Sequence, residues 1–325
     1  MSTLYPLKFQ PILKNKIWGG QKLQQLLNKP TTATDAGESW EISDVEGDTS
    51  LVANGPLKGT SLKSLIETYT SDLMGAKNFS QFGTKFPLLI KFIDAKEDLS
   101  VQLHPNDQLA KERHNSFGKT EMWYVLQANP DSNLIVGFNQ DMTQELYVKH
   151  LEDKTLQSIL NFDTVKAGDT YFIEVGRIHA IGAGVLLAEI QQTSDITYRV
   201  YDWDRVDADG NERELHNDIA LEAFDFDMPE NFRVQYSQEL NVSTELVSCP
   251  YFTTNVLEVT ETISKNNTHD SFMIYMCVEG NASLEVDGAL TEISIGETVL
   301  IPASIETFSI SSNHAKLLEV YIELV

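Results

Sequence analysis

The sequence predicts a mainly β fold, two jelly-roll barrels with a few peripheral helices, and three observations carry that prediction. The chain divides into many short apolar runs separated by Gly, Asn, Asp and Pro, the mark of evenly spaced strands. Helical periodicity is scarce and does not alternate with the strands, which argues against a βαβ array. A faint internal repeat sets the first part of the chain against its end.

Taken in order, Trp40–Ser43 reads as a strand. Ser61–Leu73 reads as a helix, because Leu62, Leu65, Ile66, Tyr69 and Leu73 share one face. Leu88–Ile93 is an apolar strand interrupted by Lys91, and Leu99–Leu103 alternates as a strand does. Met122–Gln127 and Leu134–Phe138 follow as strands. Thr143–Ile159 is helical by the spacing of Leu146, Tyr147, His150, Leu151 and Ile159, and Thr170–Val175 and Val185–Gln191 are strands.

The repeat pairs Val165–Val175 (VKAGDTYFIEV) with Ile293–Ala303 (ISIGETVLIPA), each a Gly-acid-Thr turn leading into an apolar strand. Tyr124–Ala128 precedes Leu134–Val136 as Met276–Gly280 precedes Leu284–Val286. Overlaying the copies sets Glu121 against Met273 and His179 against Thr307, and the first copy is longer by about the length of the helical insert around Asp141–Phe162. The expected organisation is a catalytic domain over residues 1–235 with helical inserts, and a smaller β domain over 236–325 without metal ligands. The stretch Glu230–Leu246 is the expected connection.

With 325 residues and 42% hydrophobic content, the chain can bury a sizeable core in two modules. A net charge of −24 excludes nucleic acid and anionic membrane as expected partners, since both need basic surface. Two cysteines, Cys249 and Cys277, show neither metal-ligand nor redox spacing. The N-terminus lacks an apolar signal region, and no run of about 18 apolar residues occurs. A cytoplasmic protein is the expectation, and nothing in the sequence sets its oligomeric state.

The chemistry concentrates in Gln102-Leu103-His104-Pro105, in Lys119-Thr120-Glu121, and in Gly176-Arg177-Ile178-His179. Gln102 and His104 lie two apart on a strand and share a face. Two imidazoles, a carboxylate and an amide oxygen drawn from separate strands suit zinc or another borderline first-row ion. Lys91 in an apolar strand either faces the site or reaches to the barrel rim. Lys119 lies two residues from Glu121, though an ordinary turn lysine reads the same way. Glu189 serves as a proton carrier or as one half of an internal salt bridge. Arg199 holds an anion or pairs with Asp195 or Asp202. Glu38 and Trp40 wall the pocket, or the indole is core.

These motifs resemble the short bacterial form of type I mannose-6-phosphate isomerases (phosphomannose isomerases), zinc enzymes with cupin barrels. The likeness runs through Lys14–Gly20 (KNKIWGG), Ala36–Ser43, Phe86–Ala95, Leu99–Asp107, Lys119–Tyr124, Gly176–Ile181 and Gln191–Trp203. It covers about the first two-thirds of the chain, and the rest matches only in general barrel character. The resemblance implies one Zn2+ per chain held by Gln102, His104, Glu121 and His179. It implies Lys91, Lys119, Glu189 and Arg199 around a sugar phosphate, with Arg199 in the active site, and interconversion of mannose 6-phosphate and fructose 6-phosphate through a cis-enediol.

Two departures stand out. Eukaryotic-type members carry Asn-His-Lys-Pro-Glu where this chain has Phe117-Gly118-Lys119-Thr120-Glu121, and they carry a large helical insertion that is absent here. Two other readings stay open, a non-catalytic sugar-binding or regulatory cupin and an iron cupin oxygenase. Gln102 argues against the oxygenase, and the lysines, Glu189 and Arg199 argue against a mere binding module.

Overall fold

The computed structural model describes residues 4–206, 210–229 and 231–324. Glu230, where the expected connection begins, lies outside them. Three large antiparallel sheets account for most of the described chain. A six-stranded sheet runs Thr170–Ile173, Glu121–Ala128, Val185–Gln192, Leu88–Ala95, Ile12–Gly20, Ala36–Ile42. A five-stranded sheet runs Leu160–Thr164, Asn133–Phe138, His179–Ile181, Val101–Leu103, Tyr198–Tyr201. A nine-stranded sheet holds the strands from Thr244 to Tyr321 and takes in Leu7–Lys8 from the N-terminal end, which pairs with Thr298–Ile301. The mainly β, jelly-roll expectation stands.

Period-2 alternation explains how the sheets stack. Along the six-stranded sheet, Ile93, Trp123, Val125 and Leu187 point into a core shared with Leu134, Val136 and Ile181 of the five-stranded sheet. The alternate residues Ile90, Phe92, Met122, Tyr124, Ala188 and Ile190 point the other way. They pack on Val256, Ile274, Met276, Leu300 and Leu318 of the nine-stranded sheet and on Leu62, Leu65 and Ile66. The six-stranded sheet is therefore covered on both faces, and all eight residues of Val185–Gln192 are buried. Phe86 and Phe272 touch across this junction, with ring centres 4.8 Å apart. The outer face of the five-stranded sheet is closed by Tyr147, Leu156 and Ile159 from the helical insert.

The two expected helices are each broken. Ser61 caps Leu62–Tyr69 by accepting from the Ser64 N–H, but Thr70 takes a φ of 47°, so Ser71–Met74 starts a new axis. In the insert, helix Gln144–Glu152 ends before Lys154, at φ 55°, and Leu156–Ile159 is a separate 3-10 turn. A positive φ leaves the right-handed helical region, and periodicity carries no sign of that turn.

The repeat is real at the level of register, with one correction. Ile173 pairs with Glu121 as Ile301 pairs with Met273, so Glu121 and Met273 are counterparts. His179 lies opposite Gln102, whereas Phe308 lies opposite Lys265. Trp123 meets His179 edge-on at 5.3 Å, and Tyr275 meets Phe308 edge-on at 5.9 Å. The inward counterpart of His179 is therefore Phe308 rather than Thr307, which is exposed. A slip of one residue moves a side chain to the opposite face of a strand.

The shared core between the six- and nine-stranded sheets makes the two halves unfold together. Ile274→Ala removes buried methylenes there and should lower stability by about 2–5 kcal/mol. Denaturant melts should keep a single transition. Two separated transitions in the variant or the parent would show that the halves are independent.

Candidate active site

Sheet register brings the chemical groups together. On the six-stranded sheet Glu189 lies directly between Lys91 and Trp123, and Gln191 beside it pairs with Glu121. On the facing sheet Gln102 lies between His179 and Arg199. His104 follows the strand Val101–Leu103, which ends before Pro105. Asn106 then caps helix Asp107–His114 by accepting from the Leu109 N–H. The Gly176 N–H donates to the His104 carbonyl at 2.8 Å and so ties the two histidine segments together. Gly176 has φ 81°, and a Cβ there would lie 2.3 Å from the Ala223 carbonyl oxygen, so only glycine makes this turn.

His104, Glu121 and His179 form a buried group whose ligand atoms all lie within 4.8 Å of one another. Each Nε2 is 3.5 Å from a Glu121 oxygen, His104 from Oε2 and His179 from Oε1. Zinc bonded tetrahedrally at about 2.0–2.1 Å separates its ligands by roughly 3.4 Å, so these spacings fit it. Both rings donate from Nδ1 to a carbonyl, His104 to Ile196 at 2.9 Å and His179 to Arg177 at 2.8 Å. That leaves each Nε2 with its lone pair toward Glu121, the tautomer a metal needs. The Gln102 amide nitrogen lies 3.4 Å from His179 Nε2, and a half-turn of the amide presents its oxygen instead.

The electrostatics agree. Burial first, then Lys119, holds His104 well below the ordinary histidine range, and burial brings His179 down to about 4. Both rings are neutral at neutral pH. Burial, reinforced by Glu189, pushes Glu121 up to about 7. Both Glu121 oxygens are buried without a hydrogen-bond donor. Lys119 Nζ lies 3.0 Å from Glu121 Oε2 as an ion pair without hydrogen-bond alignment, and 3.1 Å from His104 Nε2. This donor set attracts a cation, and the fit to a divalent metal is good.

A cavity of about 250 Å³ opens beside this group. Lys91, Gln102, Lys119, Glu189 and Arg199 all line it, with Trp40 and Glu38 on its wall. A larger groove of about 580 Å³ lies between Leu4–Lys8 and the hairpin Val286–Glu292, and it holds no comparable cluster.

Lys91 does not reach to the rim. It is buried, 2.9 Å from Glu189 Oε1, and its ammonium sits 5.5 Å from the Trp40 ring centre. Trp123 Nε1 donates to Glu189 Oε2 at 2.9 Å, so both oxygens of that carboxylate are engaged. Burial opposes ionisation of Glu189, but Lys91 and then Lys119 outweigh it and hold it at about 2. Trp40 donates to Glu38 at 2.6 Å, and Glu38 pairs with Lys16 at 3.0 Å.

Arg199 forms no ion pair with Asp195 or Asp202 among the described residues. It donates from Nε to Ser100 Oγ at 3.3 Å and from Nη1 to the Glu214 carbonyl at 3.0 Å. Asp202 is taken by Arg205 and Arg213 instead. Reading the sequence missed Lys16, Ser100 and Arg213 on the cavity wall. Lys16 lies inside the KNKIWGG motif and was within reach. Arg213 follows a mixed-charge loop that carries no periodicity at all.

The second barrel repeats the pillar without the metal set. Glu319 lies between Tyr275 and Asn255 in the same register, accepting from Tyr275 at 2.7 Å and from Asn255 at 3.0 Å. Lys265 closes on it at 2.5 Å. Met273 and Phe308 stand where Glu121 and His179 stand in the first barrel.

Comparison with known proteins agrees with this geometry. Residues 6–145 match the family described as phosphomannose isomerase type I, catalytic domain, and residues 242–322 match the mannose-6-phosphate isomerase cupin domain. Mannose-6-phosphate isomerase ManA of Bacillus subtilis is 35% identical over 312 residues, covering 95% of this chain and 96% of that protein. The mannose-6-phosphate isomerase of Streptococcus mutans is 32% identical over 304 residues, covering 93% and 94%. The crystal structure of the B. subtilis mannose 6-phosphate isomerase superposes with a TM-score of 0.89 at 30% identity, over 98% of this chain and 100% of that one. The putative mannosephosphate isomerase of Archaeoglobus fulgidus shares the fold, with a TM-score of 0.79 at 23% identity over 99% of each chain. With a His–Glu–His group beside a polar cavity, and relatives matched over nearly its whole length, the chain belongs to the type I mannose-6-phosphate isomerases, a family of cupin-fold isomerase enzymes.

Proposed function

We propose that the protein is a zinc-dependent isomerase that interconverts mannose 6-phosphate and fructose 6-phosphate. The observation that carries this reading is the buried His104–Glu121–His179 group beside a cavity lined by Lys91, Lys119 and Arg199. Gln102, His104, Glu121 and His179 would hold one zinc ion. When bound, that ion supplies a Lewis acid that lowers the barrier to removing a proton next to a carbonyl.

The residues do the rest. A proton leaves C2 of the aldose and returns at C1, through a cis-enediol. Arg199 stays protonated throughout, so its part is to donate hydrogen bonds to the oxygen that gains charge or to the phosphate. Lys119 contributes an ammonium next to the metal donors. Lys91 donates to the sugar while Glu189 holds it in place, and Trp40 gives the sugar a flat wall. We assign proton transfer to Glu189, which Lys91 and Trp123 keep ionised, the state a base requires. Its low proton affinity means that substrate must loosen the Lys91 contact for the transfer.

We further take residues 1–235 as the catalytic domain and 236–325 as a structural cupin domain without metal ligands. Filling of the second interior by Tyr275, Phe308 and the Glu319 cluster supports this. A cytoplasmic setting is our reading from the two free thiols, Cys249 and Cys277, and from the metabolic sugar phosphate. No helix among the described residues is long and apolar enough to cross a membrane.

Three measurements bear on this. Chelation should abolish formation of fructose 6-phosphate, and zinc should restore it. His104→Ala should reduce metal content measured by atomic absorption, whereas Arg199→Ala should keep the metal and lose turnover by about 100-fold or more. Turnover that survives chelation would overturn the metal reading. In deuterium oxide, Glu189→Gln should lose both turnover and label at the transferred position. If the label persists, Glu189 is an anchor like Glu319. Chelator-treated protein should also lose stability as pH falls from about 6.5 toward 4. Folded His179 titrates near 4, and His104 is held well below the ordinary histidine range. Unfolded chains therefore bind these two protons across that window, against the one that folded Glu121, at about 7, retains. A denaturant midpoint that stays flat from pH 6.5 to 4 would contradict it.

A further inference from the structure

Asp202 gathers two arginines next to the cavity and leaves one of them with free donors. It accepts from Arg213 Nε at 2.6 Å and from Arg213 Nη2, and from Arg205 Nη2 at 2.5 Å. Arg205 is spent on the fold, since its Nη1 donates to the Asp98 carbonyl at 2.7 Å and its Nε to the Asp202 carbonyl at 3.3 Å. Arg213 is bound to Asp202 by one edge only, and its Nη1 makes no hydrogen bond among the described residues. Arg213 lines the cavity together with Arg199, whose Nη2 is likewise without a partner among them.

The charge balance favours an anion here. Two guanidiniums, Arg205 and Arg213, share the one buried carboxylate of Asp202. Arg199 lies near Arg213, with Glu214 as its other acidic neighbour, in a chain of net charge −24. Burial, then the nearby Arg213, lowers the proton affinity of Arg199, a repulsion that a bound dianion relieves. The cavity's carboxylates Glu38 and Glu189 are already neutralised by Lys16 and Lys91, and Asp195 is the remaining acid on its wall. Free guanidinium edges suit phosphate oxygens, which accept paired N–H donors, better than sugar hydroxyls.

We propose that Arg213 is a phosphate-binding, specificity-determining residue and that Asp202 is the positioning residue that holds it at the cavity. This rests on the sugar-phosphate reading above. Arg213 then discriminates phosphorylated from free sugar through binding, while the reacting carbons lie with the metal donors.

The test uses zinc-loaded full-length enzyme with two readouts, steady-state kinetics on mannose 6-phosphate and calorimetric binding of inorganic phosphate. Arg213→Gln should raise both KM and the phosphate Kd by about 10- to 100-fold, with kcat changed less than about threefold. Arg213→Lys should recover part of the loss. Asp202→Asn should raise KM in the same direction, and adding it to Arg213→Gln should raise KM no further. KM and phosphate Kd within about twofold of the parent in Arg213→Gln would overturn the proposal, as would a loss of kcat at constant KM. Thermal melts verify that Arg213→Gln is folded, and it leaves Asp202 paired with Arg205. A parent enzyme inert on mannose 6-phosphate would sink the isomerase reading instead, while phosphate binding still reports on Arg213.

Discussion

Burial of the six-stranded sheet on both faces is the constraint on which the rest of this molecule depends. One face is the floor of the first barrel, and the other is the junction with the second. A polar side chain on such a sheet reaches water only through the cavity and must otherwise find its partner within the protein. Lys91, Trp123 and Glu189 meet that demand by lying in adjacent strands at the same level. Their mutual satisfaction keeps an ammonium and a carboxylate ionised inside the barrel, next to the Glu121 carboxylate.

The second barrel shows what that pillar does in isolation. Glu319, Tyr275 and Asn255 stand in the same register, with Lys265 closing on Glu319 from another strand, yet Met273 and Phe308 replace the carboxylate and imidazole beside them. Met and Phe fill space and satisfy themselves by packing, so the second interior closes. Glu121 does not, and its two unsatisfied oxygens face the Nε2 atoms of His104 and His179. The two barrels thus differ at inward positions on a common frame, where the first carries Glu121, His179, His104 and Gln102. Gln102 lies opposite His179 as Lys265 lies opposite Phe308.

Charge is arranged on the same principle. The chain as a whole is strongly acidic, but the cavity gathers Lys16, Lys91, Lys119, Arg199 and Arg213. Acidic partners hold most of these cations by one edge, which fixes their position and leaves donors for a ligand.

Much of this was legible in the chain by itself. Strand punctuation, the spacing within Gln102–His104 and the Gly-acid-Thr repeat were sufficient for the fold class and for the ligand candidates, because period-2 alternation is a local property of the backbone. Residue type alone left Lys91, Glu189 and Arg199 each with two readings. Tertiary structure supplies their partners, since cross-strand register sets Lys91 against Glu189 in a buried salt bridge and a contact outside the strands gives Asp202 to Arg213. Register also moved the counterpart of His179 from Thr307 to Phe308, a shift of one residue that reverses the face. The helix breaks at Thr70 and Lys154, and the place of Arg213 on the cavity wall, are set by backbone turns and contacts between segments distant in the chain. Such contacts leave no period in the sequence, and there the fold alone decides.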